Sequence, residues 1–168
     1  MTERSRILRI YLPTVAGTLI WIAAIVAAPW LKSRGIDGAR WLYACFAPIC
    51  HQSPSRSFFL AGFPLAVCAR CFGVYAGFAA GLLLYPFRRG FSSVRVPKWQ
   101  TFFLVSAPIV FDTGGNLLRL WDTGDGLRFL TGLLWGAILP FYFIAGIGGL
   151  RRSFRRDRSS RGESRRVE

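Results

Sequence analysis

The stretch CARCFGVYAGFAAGLLLY, residues 68–85, decides the reading of this chain. It opens on two cysteines two residues apart, Cys68 and Cys71, with Arg70 between them, and continues without another charge. About 20 apolar helical residues cross the roughly 30 Å hydrocarbon layer of a bilayer, so residues 65–85 are a predicted span. Gly73, Ala76, Gly77, Ala80 and Gly81 recur along it at helical spacing and let a neighbouring backbone approach closely. The thiol pair therefore falls at the water edge of a membrane, a place suited to holding a metal or exchanging electrons.

Working outward, residues 11–31, 99–118 and 129–150 are predicted spans of the same kind. Span 11–31 carries no charge and is longer than the 7 to 15 residues of a cleavable signal core, so it reads as retained. The 168 residues are 52% hydrophobic yet carry a formal net charge of +14, a combination typical of membrane proteins. The fold class expected is all-α: an integral membrane four-helix antiparallel bundle forming one domain over residues 1–150. No internal repeat is visible. Residues 41–46 and 57–63 are too short to span but apolar enough to rest on the membrane, which predicts a partly interfacial or re-entrant outer loop. Pro54 and the serines around it predict a turn after His51, and Pro140 a kink in the last span.

Basic residues that flank spans stay in the cytoplasm. Arg4, Arg6 and Arg9 precede the first span, Arg88, Arg89, Arg95 and Lys98 join the second to the third, and eight arginines follow Leu150. Seven others fall in the alternate connections: Lys32, Arg34, Arg40, Arg56, Arg70, Arg119 and Arg128. Both termini are thus expected in the cytoplasm, with residues 32–64 outside. The positive charge lies in patches beside spans, without the interleaved aromatics of a nucleic-acid surface, so the expected partners are the bilayer and no nucleic acid. The tail, residues 151–168, is too polar to pack and is expected to be disordered or to lie on anionic lipid headgroups.

All four cysteines lie between positions 45 and 71, and the only histidine, His51, adjoins Cys50. A two-residue gap lets Cys68 and Cys71 address one tetrahedral ion, and a distant second pair closes the site. Zn would be held by four thiolates, using Cys45, or by Cys50, Cys68 and Cys71 with His51. The same spacing serves thiol exchange, because a helix start and a cation such as Arg70 stabilise a thiolate. Two disulfides, Cys45 with Cys50 and Cys68 with Cys71, could then pass electrons. In architecture this is similar to the bacterial quinone-linked oxidase that recharges periplasmic disulfide formation, though the surrounding residues do not match. A scaffold with inert disulfide staples is the third alternative.

A second constellation reaches the same level. In the third span Asp112, Asn116 and Arg119 fall at i, i+4 and i+7, on one helical face. A carboxylate in hydrocarbon costs several kcal/mol unless paired, so Asp112 is expected to face the bundle interior. Arg70, Arg128 and Thr131 arrive at similar depth from other spans. The group forms either an ion-pair network that pins helices or a pocket for an anionic small molecule or lipid, in which Asp112, with Arg70, is the candidate base or proton relay. Thr113-Gly114-Gly115 would loosen the helix where a ligand approaches.

The run Cys50-His51-Gln52-Ser53-Pro54-Ser55-Arg56-Ser57-Phe58-Phe59, followed by Cys68-Ala-Arg-Cys71-Phe-Gly-Val-Tyr75-Ala-Gly77, resembles a family of small prokaryotic multi-span membrane proteins known as domain of unknown function 2085. The resemblance extends through Asp112, Asn116 and Arg119 to Arg128, Thr131 and Gly132, and covers residues 44–136. It implies an integral protein of a prokaryotic cell membrane, with no named activity. Cys45 stands outside the motif, which favours a site of Cys50, His51, Cys68 and Cys71. Phe72 stands where the resemblance leads one to expect a small polar residue after the cysteine pair, so a hydrogen bond to the thiols from that position is absent. The expectation is an outer Zn site with Arg56, Arg70, Asp112, Asn116, Arg119, Arg128 and Thr131 as its polar surroundings.

Overall fold

The computed structural model of the protein describes residues 3–89 and 98–164. Five helices follow in order: α1 (Glu3–Ser33), α2 (Gly38–Phe46), α3 (Ala69–Arg89), α4 (Trp99–Leu117) and α5 (Asp125–Ser164). Between α2 and α3 lie a short 3₁₀ turn, Pro54–Arg56, and two strands, β1 (Phe59–Leu60) and β2 (Phe63–Pro64). Among the described residues three stretches are long and apolar enough to cross a membrane: Ile7–Ser33, Ala69–Arg88 and Asp125–Ile147. The fourth predicted span is a helix where expected, α4, but it is not among these three.

The tightest pair of helices is α3 and α5, and the reason is the glycine spacing. A Cβ placed on Gly73, Gly77 or Gly81 would stand 2.2 Å from the carbonyl oxygen of Phe129, Leu133 or Ala137. Gly132 and Gly136 answer from α5 against the carbonyls of Arg70 and Val74. These partners rise together in number, so α3 and α5 run parallel, while Trp135 Nε1 donating to Ser106 Oγ at 2.9 Å and Tyr142 Oη to the Lys98 carbonyl at 2.9 Å set α4 antiparallel to α5. Lipid chains are as apolar as leucine, so close approach and dispersion, about 0.1–0.2 kcal/mol per atom pair, hold such helices together. α1 crosses antiparallel to α3, with Tyr11 Oη donating to the Leu82 carbonyl at 2.9 Å. Two cores result: Ile7, Leu82, Tyr85 and Ile144 near the chain start, and Ile25, Phe46, Cys50, Leu65 and Val67 at the other end.

The segment between α1 and α3 is more than an irregular loop. α2 buries Ala39 and Phe46, exposes Trp41, and packs on the end of α1. β1 and β2 pair antiparallel, Phe59 opposite Pro64 and Leu60 opposite Phe63. Ala61 (φ 51°) and Gly62 (φ 82°) form the two-residue left-handed turn that such a tight hairpin requires.

Two expectations change. α5 passes Pro140 unbroken and stays helical to Ser164, so most of the tail expected to be disordered is helix; arginine is a good helix former and the span supplies the nucleus. α4 ends at Leu117, so Arg119 leaves the helical face on which its spacing had put it. Arg95, in the basic connection between α3 and α4, and residues 165–168 lie outside the described residues.

Candidate metal centre

Cys50 is carried by the turn that closes α2, where its N–H donates to the Phe46 carbonyl at 3.0 Å. Gln52, at φ 49°, reverses the chain and ties it back, its Nε2 donating to the Tyr43 carbonyl at 2.7 Å. Ser57 Oγ closes the next turn on the Ser53 carbonyl at 2.8 Å. Cys68 immediately precedes α3, its carbonyl accepting the first helical bond from Phe72 N–H at 2.9 Å, and Cys71 follows one turn in. The Cys68 N–H in turn donates to Cys50 Sγ at 3.1 Å. The sulfurs of Cys50, Cys68 and Cys71 consequently lie within 4.8 Å of one another, and all three cysteines are free.

Four thiolates around Zn at 2.3 Å would stand roughly 3.8 Å apart, so the sulfurs need to close only slightly around such an ion. Three soft donors at a helix N-terminus also suit its positive end. The Cys68 and Cys71 thiols hydrogen-bond to the Cys50 sulfur and, with the N–H groups of Cys68 and Gln52, hold the Cys50 thiol far below the ordinary range, against the opposing pull of burial. Aromatic rings wall the site: Phe58, Phe72 and Phe129 meet one another at 5.7–6.3 Å, and Trp21 sits edge-on to Phe46 and Tyr75. Among the other predicted donors, His51 is exposed beside Cys50 and outside the three-sulfur group, and Cys45 is exposed on α2. Arg56, on the 3₁₀ turn, is exposed as well.

Arg70, between the two cysteines, turns the other way and meets Asp112 of α4: Nε donates to Oδ2 at 3.1 Å, and Nη2 to the same oxygen. Asp112 is buried and collects further donors, Thr123 Oγ1 at 2.7 Å, Asn116 Nδ2 at 3.1 Å and Thr131 Oγ1 at 3.4 Å. Arg128, also buried, donates to Asn116 Oδ1 at 3.1 Å, to Asp125 Oδ1 at 3.2 Å and to Asp122. Hydrogen bonds thus link Arg70, Asp112, Asn116, Arg128 and Thr131, and among the described residues Arg119 does not join them.

Asp122, Thr123 and Asp125 escaped the sequence reading because they sit in or beside a connection whose path periodicity does not predict. α4 ends in a Schellman motif: Arg119 N–H donates to the Asn116 carbonyl at 3.3 Å and Leu120 N–H to the Gly115 carbonyl at 2.9 Å, with Arg119 left-handed at φ 57°. The reversal brings Thr123 back over Asp112. It also lays Trp121 on Gly115, where a Cβ would stand 1.9 Å from the indole. Gly115 therefore makes room for an indole rather than loosening the helix for a ligand. That glycine was the one available signal.

The helices and this site define a small membrane protein with a three-thiol cluster at the start of a span. The chain belongs to the family described as "Predicted membrane protein (DUF2085)", whose profile matches residues 50–142, from the first cysteine of the cluster into α5. An uncharacterised protein of Methanocaldococcus jannaschii is 35% identical over 140 residues, 80% of this chain and 90% of the relative. An uncharacterised protein of Methanothermobacter thermautotrophicus is 34% identical over 88 residues, 52% of this chain and 78% of the relative. No solved structure matches.

Proposed function

We propose that this is a four-span integral protein of the prokaryotic cell membrane that holds one transition metal ion, Zn, through Cys50, Cys68 and Cys71. The observation that carries the reading is the gathering of three sulfurs within 4.8 Å from two separate chain segments. His51 stands next in the chain to Cys50, and rotation of its exposed ring inward would complete the tetrahedron; otherwise the fourth position takes water or an exchangeable ligand. α4 serves as the fourth span, since its polar residues turn to α3 and α5 while Phe103, Leu104, Val110 and Phe111 are left exposed for lipid. Charge bias supports cytoplasmic termini, with the tail attracted to anionic headgroups.

The polar network acts in this reading as a support for the metal site. Arg70 and Arg128 are both engaged by carboxylates, which argues against an open anion pocket, and Asp112 is bound by four side chains. Asp112 is therefore assigned a positioning role.

The free thiols favour one other reading, thiol oxidation coupled to a membrane quinone. In that step Cys50 and Cys68, or Cys50 and Cys71, form one disulfide while two electrons and two protons pass to the quinone and yield the quinol.

Elemental analysis of protein purified in mild detergent, with thiol alkylation before and after reduction, separates the two. The metal reading expects about one Zn per chain and no reducible bridge. Metal-free protein with an exchangeable disulfide would establish the redox reading in its place.

A further inference from the structure

The turn from α1 to α2 borders an open cavity of about 380 Å³ whose lining includes Lys32, Gly35, Ile36, Asp37, Arg40 and Tyr43. It is separate from the thiol cluster and from the Asp112 network. Lys32 lies in the last turn of α1, at the end of the candidate span Ile7–Ser33, two residues after the half-exposed Trp30. That is the level at which hydrocarbon gives way to headgroups, where tryptophan and lysine anchor spans.

The ammonium is held in place. Lys32 Nζ is 5.3 Å from the centroid of the Tyr43 ring and 5.1 Å from that of Phe63, so α2 and β2 grip it from two sides. Tyr43 is itself fixed, its hydroxyl donating to the Pro64 carbonyl at 2.5 Å. Among the described residues the ammonium has no hydrogen-bond acceptor and no carboxylate within 4 Å, and neither Arg40 nor Asp37 enters an ion pair. Two cations and one carboxylate line the space and leave one net positive charge.

We propose that this cavity binds the phosphodiester of a lipid headgroup. Lys32 and Arg40 supply donors to its oxygens, the single net charge matches a diester's single negative charge, and the volume suits a headgroup. The position at the end of a span delivers such a group without its leaving the bilayer.

Native mass spectrometry of the full chain released from detergent micelles tests the proposal, with phosphatidylglycerol as probe and a neutral glucosyl diacylglycerol as control. The wild type is expected to retain phosphatidylglycerol under activation that strips the glycolipid. Arg40→Gln, which leaves the lysine and its rings untouched, should lower retention about fivefold, in line with the worth of one basic residue at a lipid surface. Lys32→Gln with Arg40→Gln should lower it by more than about tenfold, and Asp37→Asn should raise it. Unchanged retention in the double variant, or equal retention of the glycolipid, overturns the proposal. Displacement of the lipid by millimolar inorganic phosphate would overturn the headgroup as the source of the anion.

Discussion

Arg70 donates through Nε to Asp112 Oδ2 at 3.1 Å, and this arginine stands in sequence between the two cysteines that open α3. One helical turn therefore carries two of the three sulfur donors on one side and one end of a buried ion pair on the other. The turn is further held by α5, since a Cβ on Gly132 would stand 2.3 Å from the Arg70 carbonyl oxygen. Donors kept rigid in this way lose little freedom when an ion closes them together, which favours binding.

Removing one sulfur opens the coordination sphere. Cys71→Ser is expected to reduce Zn from about one per chain to less than about a tenth, whereas Cys45→Ser, on an exposed residue outside the cluster, leaves it unchanged. Elemental analysis of both variants purified side by side gives the comparison. Full Zn in the Cys71 variant would refute the site.

Acid should release the metal. Thiolates bind Zn and thiols do not, so protons compete and retention falls as pH falls. Zn retained after dialysis at stepped pH gives the profile, and retention that rises on acidification would contradict thiolate ligation.

Asp112→Ala leaves the Arg70 guanidinium facing a protein interior without its carboxylate. The side chains are 22% and 5% exposed, so the expected loss is about 3 kcal/mol, the lower end for a broken buried pair. Replacing both residues by apolar ones of similar size should cost less than Asp112→Ala alone. Thermal unfolding in detergent tests the order of the three proteins.

Gly77→Ala drives a methyl into the Leu133 carbonyl, 2.2 Å away, and is expected to cost about 2 kcal/mol or more. Gly17→Ala meets nothing within 4 Å and should be neutral or stabilise by up to about 1 kcal/mol through helix propensity. A reversed order in denaturation would show that α3 and α5 do not pack through their glycines.

Local pattern made much of this molecule legible. Apolar runs long enough for a bilayer located α1, α3 and α5, because length and hydropathy are properties of consecutive residues. The two-residue gap put Cys68 and Cys71 on one turn, and the i, i+4 spacing put Asp112 and Asn116 on one face, for the same reason. The same logic failed at Arg119, where periodicity was carried two residues past the end of the helix.

What the amino-acid order determined by itself is the four long apolar helical segments, the spacing of residues within each, and the small-residue face of α3. What only the tertiary structure decided is which helices meet and who completes each site: three sulfurs gathering without Cys45, α5 packing on α3 through facing glycines, and Thr123 folding back onto Asp112. The physical reason is that periodicity acts over one or two turns, whereas these contacts depend on chain reversals set by single left-handed residues, Gln52, Ala61, Gly62 and Arg119, and by backbones packed closely enough to exclude a methyl group.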